Sequence, residues 1–495
     1  MTVGQHKTLT DLGLTAQGGA QAFVTGLAVD SRDVREGFLF AALPGTRVHG
    51  AEFIKYALRM GAGAILTDPA GLRIALPELE ASEAAVVVAE DPRQTLAYAA
   101  ALWFGSQPET MVAVTGTNGK TSVASFTRQI WSALGFDAIN LGTTGVEGDY
   151  EAPLAHTTPE PITLHNVLHL AEAHGITHAA MEASSHGLAQ RRLDGVRLMA
   201  AGFTNFTQDH LDYHATFDDY FNAKAGLFDR VLGEDGVAVI NIDDPRGTDM
   251  ALIAHGRGQD VITVGRDAEA DLRIEAQRFE TTGQTIRFTW AGRPFQVSLP
   301  LIGGFQGENV MLASALAIAT GSDAPRVFEA LPGMRTVRGR MELAASRENG
   351  AAVFVDFAHT PDAVATALKA IRPHVLGRLV AIVGAGGDRD PGKRPLMGRA
   401  AADNADIVIV TDDNPRSEDP AVIRAAVMQG CPDATEVGDR AEAILRGVDA
   451  LGTGDALLIL GKGHESGQTV GDDVLPFDDC EQASVAVSAL DGGFA

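Results

Sequence analysis

Met111-Val112-Ala113-Val114-Thr115-Gly116-Thr117-Asn118-Gly119-Lys120-Thr121-Ser122 is the stretch from which the fold can be read. Its first four residues are apolar and predict a buried strand; a short Gly-containing turn follows, and a helical stretch opens at Thr121. Consecutive backbone N–H groups in such a turn, with the positive end of a helix behind them, form a cradle for phosphate. Lys120 adds a cation toward the β/γ-phosphates, and the Thr121 hydroxyl a ligand for Mg²⁺. The spacing departs from the general phosphate loop: G-x-x-x-x-G-K-[ST] ending at Thr121 requires glycine at 114, where Val114 stands. What remains is the shorter form Gly116 to Thr121. Strand, turn, Lys-Thr and helix in this order predict a nucleoside triphosphate site rather than a turn carrying a solvated lysine.

The chain around this loop has 495 residues, too many for one hydrophobic core, and suggests about three domains. Its 45% hydrophobic and 21% charged residues are those of a globular protein, and strands alternating with Ala- and Leu-rich helical stretches predict the α/β class. A net charge of −25 without a basic run argues against nucleic acid as a partner. Anionic substrates would need local cations against that field, and Arg191-Arg192, Arg389, Lys393-Arg394, Arg416 and Lys462 all stand in Gly-rich or polar stretches. Two cysteines, Cys431 and Cys480, fit a reducing compartment. The first residues lack the apolar centre of a signal peptide, and no run of about 18 apolar residues exists to span a bilayer. A cytoplasmic protein without a membrane partner is expected.

Residues 1–108 carry their own strand and helix pattern, with apolar runs at Phe38–Leu43, Ala64–Leu66 and Ala85–Ala89 and a helical stretch from Gln94 to Phe104. They also contain Asp30-Ser31-Arg32, which by itself reads equally as a surface turn or a site. A central domain is expected over 109–335, with strands at His178–Met181, Ala200–Phe203 and Val237–Ile240, each ending in a polar cluster. In open α/β sheets ligands collect at the carboxyl ends of strands, so those clusters should converge on the phosphate loop. The Arg273–Val297 stretch alternates like a hairpin. From 336 onward the alternation restarts, with strands at Ala352–Val355, Leu379–Val383, Ile407–Val410 and Ala456–Leu460, and predicts a Rossmann-like domain.

Several polar clusters tempt toward other chemistries. Met181-Glu182-Ala183-Ser184-Ser185-His186-Gly187 sets Ser beside His but lacks the G-x-S-x-G elbow of a hydrolase. Glu182, ending a strand beside a phosphate loop, reads better as a Mg²⁺ ligand, because Mg²⁺ takes one or two carboxylates with phosphate oxygens and water. His210 and His214 have the i, i+4 spacing of a zinc helix, but Leu211 stands where H-E-x-x-H needs glutamate. Gly384-Ala385-Gly386-Gly387-Asp388-Arg389 fails as a dinucleotide fingerprint, since Arg389 takes the place of the third glycine. It reads instead as a loop presenting Arg389. Asp413-Asn414-Pro415-Arg416 and Gly461-Lys462-Gly463-His464-Glu465 follow two further strands, and three loops from one parallel sheet should open on the same side. Arg389 and Arg416 could then grip a carboxylate by bidentate pairing while Glu465 meets an ammonium, which makes an amino-acid site.

Thr115-Gly116-Thr117-Asn118-Gly119-Lys120-Thr121-Ser122 resembles the ATP-binding loop of the Mur ligases and of their relatives the folylpolyglutamate synthases, which join an amino acid to a carboxylate through an acyl phosphate. The E-x-S-S-H-G cluster at Glu182, T-N-x-x-x-D-H-x-D-x-H from Thr204 to His214, and Asp356-Phe357-Ala358-His359 extend the resemblance over nearly the whole chain. The leading domain favours the Mur branch. The resemblance implies an N-terminal UDP-binding domain, a central ATP-binding domain and a C-terminal amino-acid-binding domain. It assigns Gly116, Thr117, Asn118, Gly119, Lys120, Thr121, Ser122, Asn309 and Arg340 to ATP. Ser31, Thr157, Thr158, Ser184, Gln190 and Arg192 go to the UDP-sugar substrate. The metal and its chemistry fall to Thr121, Glu182, His210 and a carbamylated Lys224, with Lys120 catalytic. Arg389, Asp413, Asn414, Pro415, Arg416, Gly461 and Glu465 go to the amino acid. Asp413-Asn414-Pro415-Arg416 resembles the motif of members that add meso-diaminopimelate to UDP-N-acetylmuramoyl-alanyl-glutamate, with lysine or ornithine as alternatives. A monomeric peptidoglycan-precursor ligase using ATP and Mg²⁺ is the expectation; a folylpolyglutamate synthase and a non-ligating nucleotide switch are its rivals.

Overall fold

A computed structural model describes residues 6–45, 48–207, 214 and 216–492, and its contacts divide the chain into two units. The first comprises residues 1–271 and 312–327, the second 272–311 and 328–495.

After a short antiparallel pair, Lys7–Thr8 with Phe23–Val24, the first unit forms a parallel sheet in simple sequential order: β1 (Gly26–Ala28), β2 (Phe38–Ala41), β3 (Ala64–Thr67) and β4 (Ala85–Val88). The helix Pro92–Phe104 closes this sheet's core with Leu96, Ala99, Ala100 and Trp103. It starts two residues before the sequence pattern places it, because Pro92 takes the first helical position and the Asp91 carboxylate accepts the Gln94 N–H (3.1 Å).

The phosphate-loop strand, β5 (Thr110–Thr115), is buried along its whole length, as its apolar and β-branched run requires. It pairs in parallel with β7 (His178–Glu182) on one side and β8 (Ala200–Phe203) on the other. Beyond β7 lies β6 (Ala138–Gly142); beyond β8 follow β9 (Val237–Asn241) and β10 (Asp260–Gly265), all parallel. The chain crosses β5 on going from β7 to β8. That crossing puts the Gly116–Gly119 turn at a topological switch point, where loops from both halves of the sheet meet.

In the second unit the stretch expected as a hairpin is a three-stranded antiparallel meander: β11 (Leu272–Glu280), β12 (Gly283–Trp290) and β13 (Arg293–Leu299). The extra strand forms because Ala291 (φ 49°) and Gly292 (φ 73°) make a second two-residue turn. The C-terminal sheet runs β14 (Glu342–Ser346), β15 (Ala352–Asp356), β19 (Ala456–Leu460), β16 (Leu379–Val383), β17 (Ile407–Val410), β18 (Thr435–Glu436). Only the β14–β15 pair is antiparallel. After β19 comes a small hairpin, β20 (Gly467–Val470) with β21 (Asp473–Pro476).

One buried histidine in the first unit makes the fold sensitive to acid. His165, on the helix Pro161–Ala173, lies against Gly195, and burial, helped by the nearby Arg197, pushes its pKa down from 6.5 to about 4. A depressed folded-state value means that the neutral form stabilises the fold fully above about pH 6.5, and that this contribution is lost as the pH falls through 4. The loss is on the order of 3 kcal/mol. Urea titrations at pH 7.5 and pH 5 should show His165→Gln losing less stability on acidification than the parent chain; equal losses would contradict this.

Candidate active site

The phosphate loop is held from behind by the loop after β8. Asn205 accepts the Asn118 N–H on its Oδ1 (2.9 Å) and the Thr117 N–H on its carbonyl (2.8 Å), while the Thr204 hydroxyl donates to the Asn118 carbonyl (2.6 Å). Gly116 (φ 146°) permits this approach: a Cβ there would stand 1.8 Å from Thr204 Oγ1. The Thr117 hydroxyl faces Thr207 and the Tyr220 hydroxyl (3.2 Å). Asn241 Nδ2 then fixes the Thr204 carbonyl (2.7 Å), and the buried Asp244 accepts the Phe206 N–H (2.7 Å). Thr204, Asn205 and Asn241 carry no assignment in the sequence reading, although the first two open the T-N-x-x-x-D-H motif quoted there.

Gly119 (φ 86°) ends the turn, and the helix Lys120–Ala133 begins, with Ser122 buried in its first turn. Lys120 folds back over the loop, its Nζ donating to the Gly116 (2.9 Å) and Thr117 (2.8 Å) carbonyls. Lys224, on the helix Phe217–Gly226, is 1% exposed; its Nζ donates to the same Gly116 carbonyl (2.7 Å) and lies 4.5 Å from the centre of the Tyr220 ring. Two ammonium groups thus converge on one oxygen, at most about 6 Å apart, where like charges disfavour one another.

Glu182, the last residue of β7, is 1% exposed. One carboxylate oxygen accepts the Thr121 hydroxyl (2.9 Å), the other the Thr143 N–H (2.8 Å). Gly142 leaves the space, since a Cβ there would meet Glu182 Oε1 at 2.0 Å. The Thr121 hydroxyl and the Glu182 carboxylate meet just after the turn, and the Lys224 head group stands at the Gly116 carbonyl where the turn begins. Among the described residues no group of three or more His, Cys, Asp and Glu side chains is assembled for a metal. A hard cation bound by one carboxylate, a hydroxyl and phosphate oxygens suits this donor set. His210 lies outside the described residues.

The residues expected to meet the sugar nucleotide divide between two places. Thr158 donates to the Glu182 carbonyl (2.8 Å) and accepts the Ser184 N–H (3.1 Å), and Thr157 faces Thr143 through their hydroxyls (3.1 Å). Arg192 donates to the Thr158 carbonyl (2.5 Å) and to Gln190 Oε1 (2.8 Å). These five residues therefore stand beside Glu182. The neighbouring Arg191 turns away to pair with Asp91 (2.8 Å). Ser31 belongs to the separate sheet, in the short 3-10 turn Ser31–Asp33 after β1. There Arg32 grips Asp30 and holds its carboxyl down at about 2.

In the second unit the loops after β16, β17 and β19 come together. Asn414 Nδ2 donates to Glu465 Oε2 (2.7 Å) and Asp413 Oδ1 (3.1 Å), and Asn414 Oδ1 accepts the Thr469 N–H (2.8 Å). The Arg416 guanidinium donates to the Gly387 carbonyl (2.8 Å). Gly386 lies between the two arginines; a Cβ on it would be 2.8 Å from Arg416 Nη1 and 3.7 Å from Arg389 Cγ. Arg389 is exposed. Pro415 sits between two residues of positive φ, Asn414 (42°) and Arg416 (53°). The Arg416 backbone is gripped by the β20–β21 hairpin, its N–H donating to the Thr469 carbonyl (3.1 Å) and its carbonyl accepting the Gly471 N–H (2.7 Å). Lys462, fully buried, donates to Glu465 Oε2 (3.2 Å) and to the Gly467 carbonyl. Gly461 donates its N–H to the Asp356 carbonyl (3.1 Å). Asp413 is buried rather than presented; burial pushes its pKa up against the opposing charges of Arg440 and Lys462. The hairpin was not legible as part of this cluster, because the bonds that join it to Arg416 run through the backbone. Elsewhere in this unit, Asn309 bonds Gln306 (3.1 Å) and the Arg340 guanidinium lies 4.8 Å from the centre of the Phe357 ring.

Three family models match in order: "Mur ligase family, catalytic domain" over 23–103, "Mur ligase middle domain" over 114–317 and "Mur ligase, glutamate ligase domain" over 339–463. A Brucella melitensis protein named UDP-N-acetylmuramoyl-L-alanyl-D-glutamate--2,6-diaminopimelate ligase is 48% identical over 472 residues, which span 94% of each chain. A Bradyrhizobium diazoefficiens protein of the same name is also 48% identical over 472 residues, covering 94% of this chain and 95% of its own. A solved structure under that name superposes with a TM-score of 0.74 at 34% identity, covering 98% of this chain and 99% of the other. The chain belongs to the Mur ligase family and is an ATP-dependent ligase with the three-domain α/β architecture of that family.

Proposed function

We propose that this ligase adds meso-diaminopimelate to UDP-N-acetylmuramoyl-L-alanyl-D-glutamate, a step in peptidoglycan precursor synthesis. The observation that carries the reading is the Arg389–Arg416–Asn414–Glu465 cluster: two arginines flanking Gly386 for a carboxylate, and, tied to Asn414, the Glu465 carboxylate for an ammonium. Relatives at 46–48% identity bear the name of that activity. Residues 1–108 would bind the UDP moiety, with Ser31 at the uridine; residues 109–335 would bind ATP, and 336–495 the amino acid. In this reading Asn309 and Arg340 are also assigned to ATP. We take the enzyme to be a cytoplasmic monomer; among the described residues no helix is long and apolar enough to cross a membrane.

An amide does not form usefully from a free carboxylate and amine in water, so the acceptor carboxylate must first be activated. The Gly116–Gly119 N–H groups and the helix N-terminus behind them hold the ATP phosphates. As the γ-phosphoryl passes to the glutamyl side-chain carboxylate, Lys120 swings from its loop carbonyls to the developing charge. Thr121, Glu182, His210 and Lys224 would hold Mg²⁺, which when bound neutralises phosphate charge. Thr157, Thr158, Ser184, Gln190 and Arg192 keep the UDP-linked acceptor beside that centre. Arg416 and Arg389 hold the distal carboxylate of the diamino acid and Glu465 its ammonium, leaving the other amine to attack the acyl phosphate as phosphate departs.

Two experiments test this reading. Phosphate release should require ATP, the UDP-linked acceptor and a diamino acid together, with meso-diaminopimelate far ahead of lysine and ornithine. Either of those lacks the second carboxylate and leaves the Arg416 site poorly paired, at about 1–3 kcal/mol. Preference for lysine or ornithine would mean that Arg416 reads something else. The convergence of Lys120 and Lys224 on one carbonyl supports a carbamate on Lys224, which would replace a repelled cation by a hard oxygen ligand. Lys224→Ala should be nearly inactive and regain part of its activity with added formate or acetate; activity near that of the parent, or no rescue at all, would contradict the carbamate.

A further inference from the structure

Arg440 is the first residue of the helix Arg440–Asp449, and Asp479 the first of the helix Asp479–Leu490; their side chains are 1% and 0% exposed. A cation buried at the positive end of a helix is locally unfavourable. A buried ion pair is also weak evidence for stability, because desolvation offsets the attraction. The use of the guanidinium is therefore informative. Its Nε and Nη2 take the two Asp479 oxygens in a fork (2.7 Å each). The remaining bonds go to two main-chain carbonyls, Leu460 from Nη2 (3.0 Å) and Asp412 from Nη1 (3.3 Å).

Those carbonyls immediately precede the two substrate loops, Gly461-Lys462-Gly463-His464-Glu465 and Asp413-Asn414-Pro415-Arg416. Their strands, β19 and β17, are not neighbours: β16 lies between them, so no ladder bond joins them and their ends stand about 10 Å apart. We infer that Arg440, oriented by Asp479, is a positioning residue for the amino-acid site, fixing the separation of the Asn414 and Glu465 loops across the end of β16. The inference rests on the proposed function, since it gives those loops to the diamino acid. Asp479 aims the fork, and only a planar guanidinium can reach a carboxylate and two carbonyls at once.

The test uses the full-length chain with Arg440→Lys, which keeps the charge without the fork, and Asp479→Asn, which keeps the shape without the charge. Steady-state rates are measured with ATP, the UDP-linked acceptor and meso-diaminopimelate varied in turn, beside thermal melts. In both variants KM for the diamino acid should rise about tenfold or more, the loss of one charge-assisted bond, while the other two KM values and kcat stay within about threefold. A purely structural role would shift all three KM values together or lower only the melting temperature; either result, or failure of both variants to fold, overturns the inference. Parent enzyme that releases no phosphate with diaminopimelate, lysine or ornithine refutes the proposed function instead.

Discussion

Glu182 is the residue on which the first unit's site depends. Its carboxylate is buried at the end of β7, and each oxygen bonds one of the loops beside it: the Thr121 hydroxyl on the phosphate loop and the Thr143 N–H after β6. Its carbonyl takes the Thr158 hydroxyl, which also accepts the Ser184 N–H, while the Thr158 carbonyl accepts Arg192. One glutamate thus relates the nucleotide cradle to the side chains proposed for the acceptor. A negative charge is stable in so buried a place only with donors aimed at it, and in the proposed reading a cation as well.

The same logic recurs in the second unit with opposite emphasis. A chain of net charge −25 must concentrate cations where anionic substrates bind. In the proposed reading Arg389 and Arg416 do this on one loop cluster, while the buried Lys462 bonds Glu465 and the buried Arg440 bonds Asp479. Positive charge is layered there: in that reading the exposed Arg389 and half-buried Arg416 serve the ligand, and buried cations bond the loops behind them.

Much of this was legible in the chain. The strands after Met111, His178, Ala200, Leu379, Ile407 and Ala456 are runs of apolar residues buried on both faces, which read the same in sequence and in structure. Strands Gly26–Ala28 and Ala138–Gly142 escaped notice, the first too short and the second interrupted by Asn140, whose side chain pairs with Arg128 (2.6 Å). The loops that carry Lys120, Glu182, Arg416 and Glu465 were recognisable from residue type and spacing. What supports them was not. Thr204 and Asn205 clamp the phosphate loop from residues distant in sequence, Gly142 matters for the side chain it makes room for, and the β20–β21 hairpin grips Arg416 through its backbone. Such roles are set by tertiary approach, which no local pattern encodes.

The central claim is that Glu182 acts through its charge rather than through its shape. Glu182→Gln can keep an acceptor for the Thr143 N–H and a polar contact with Thr121 while losing the negative charge. The decisive measurement is phosphate release by this variant across a Mg²⁺ titration, beside its thermal melt. The account predicts a melting temperature close to that of the parent and turnover lower by orders of magnitude at every Mg²⁺ concentration. Turnover near the parent's, with an unchanged Mg²⁺ dependence, would contradict it.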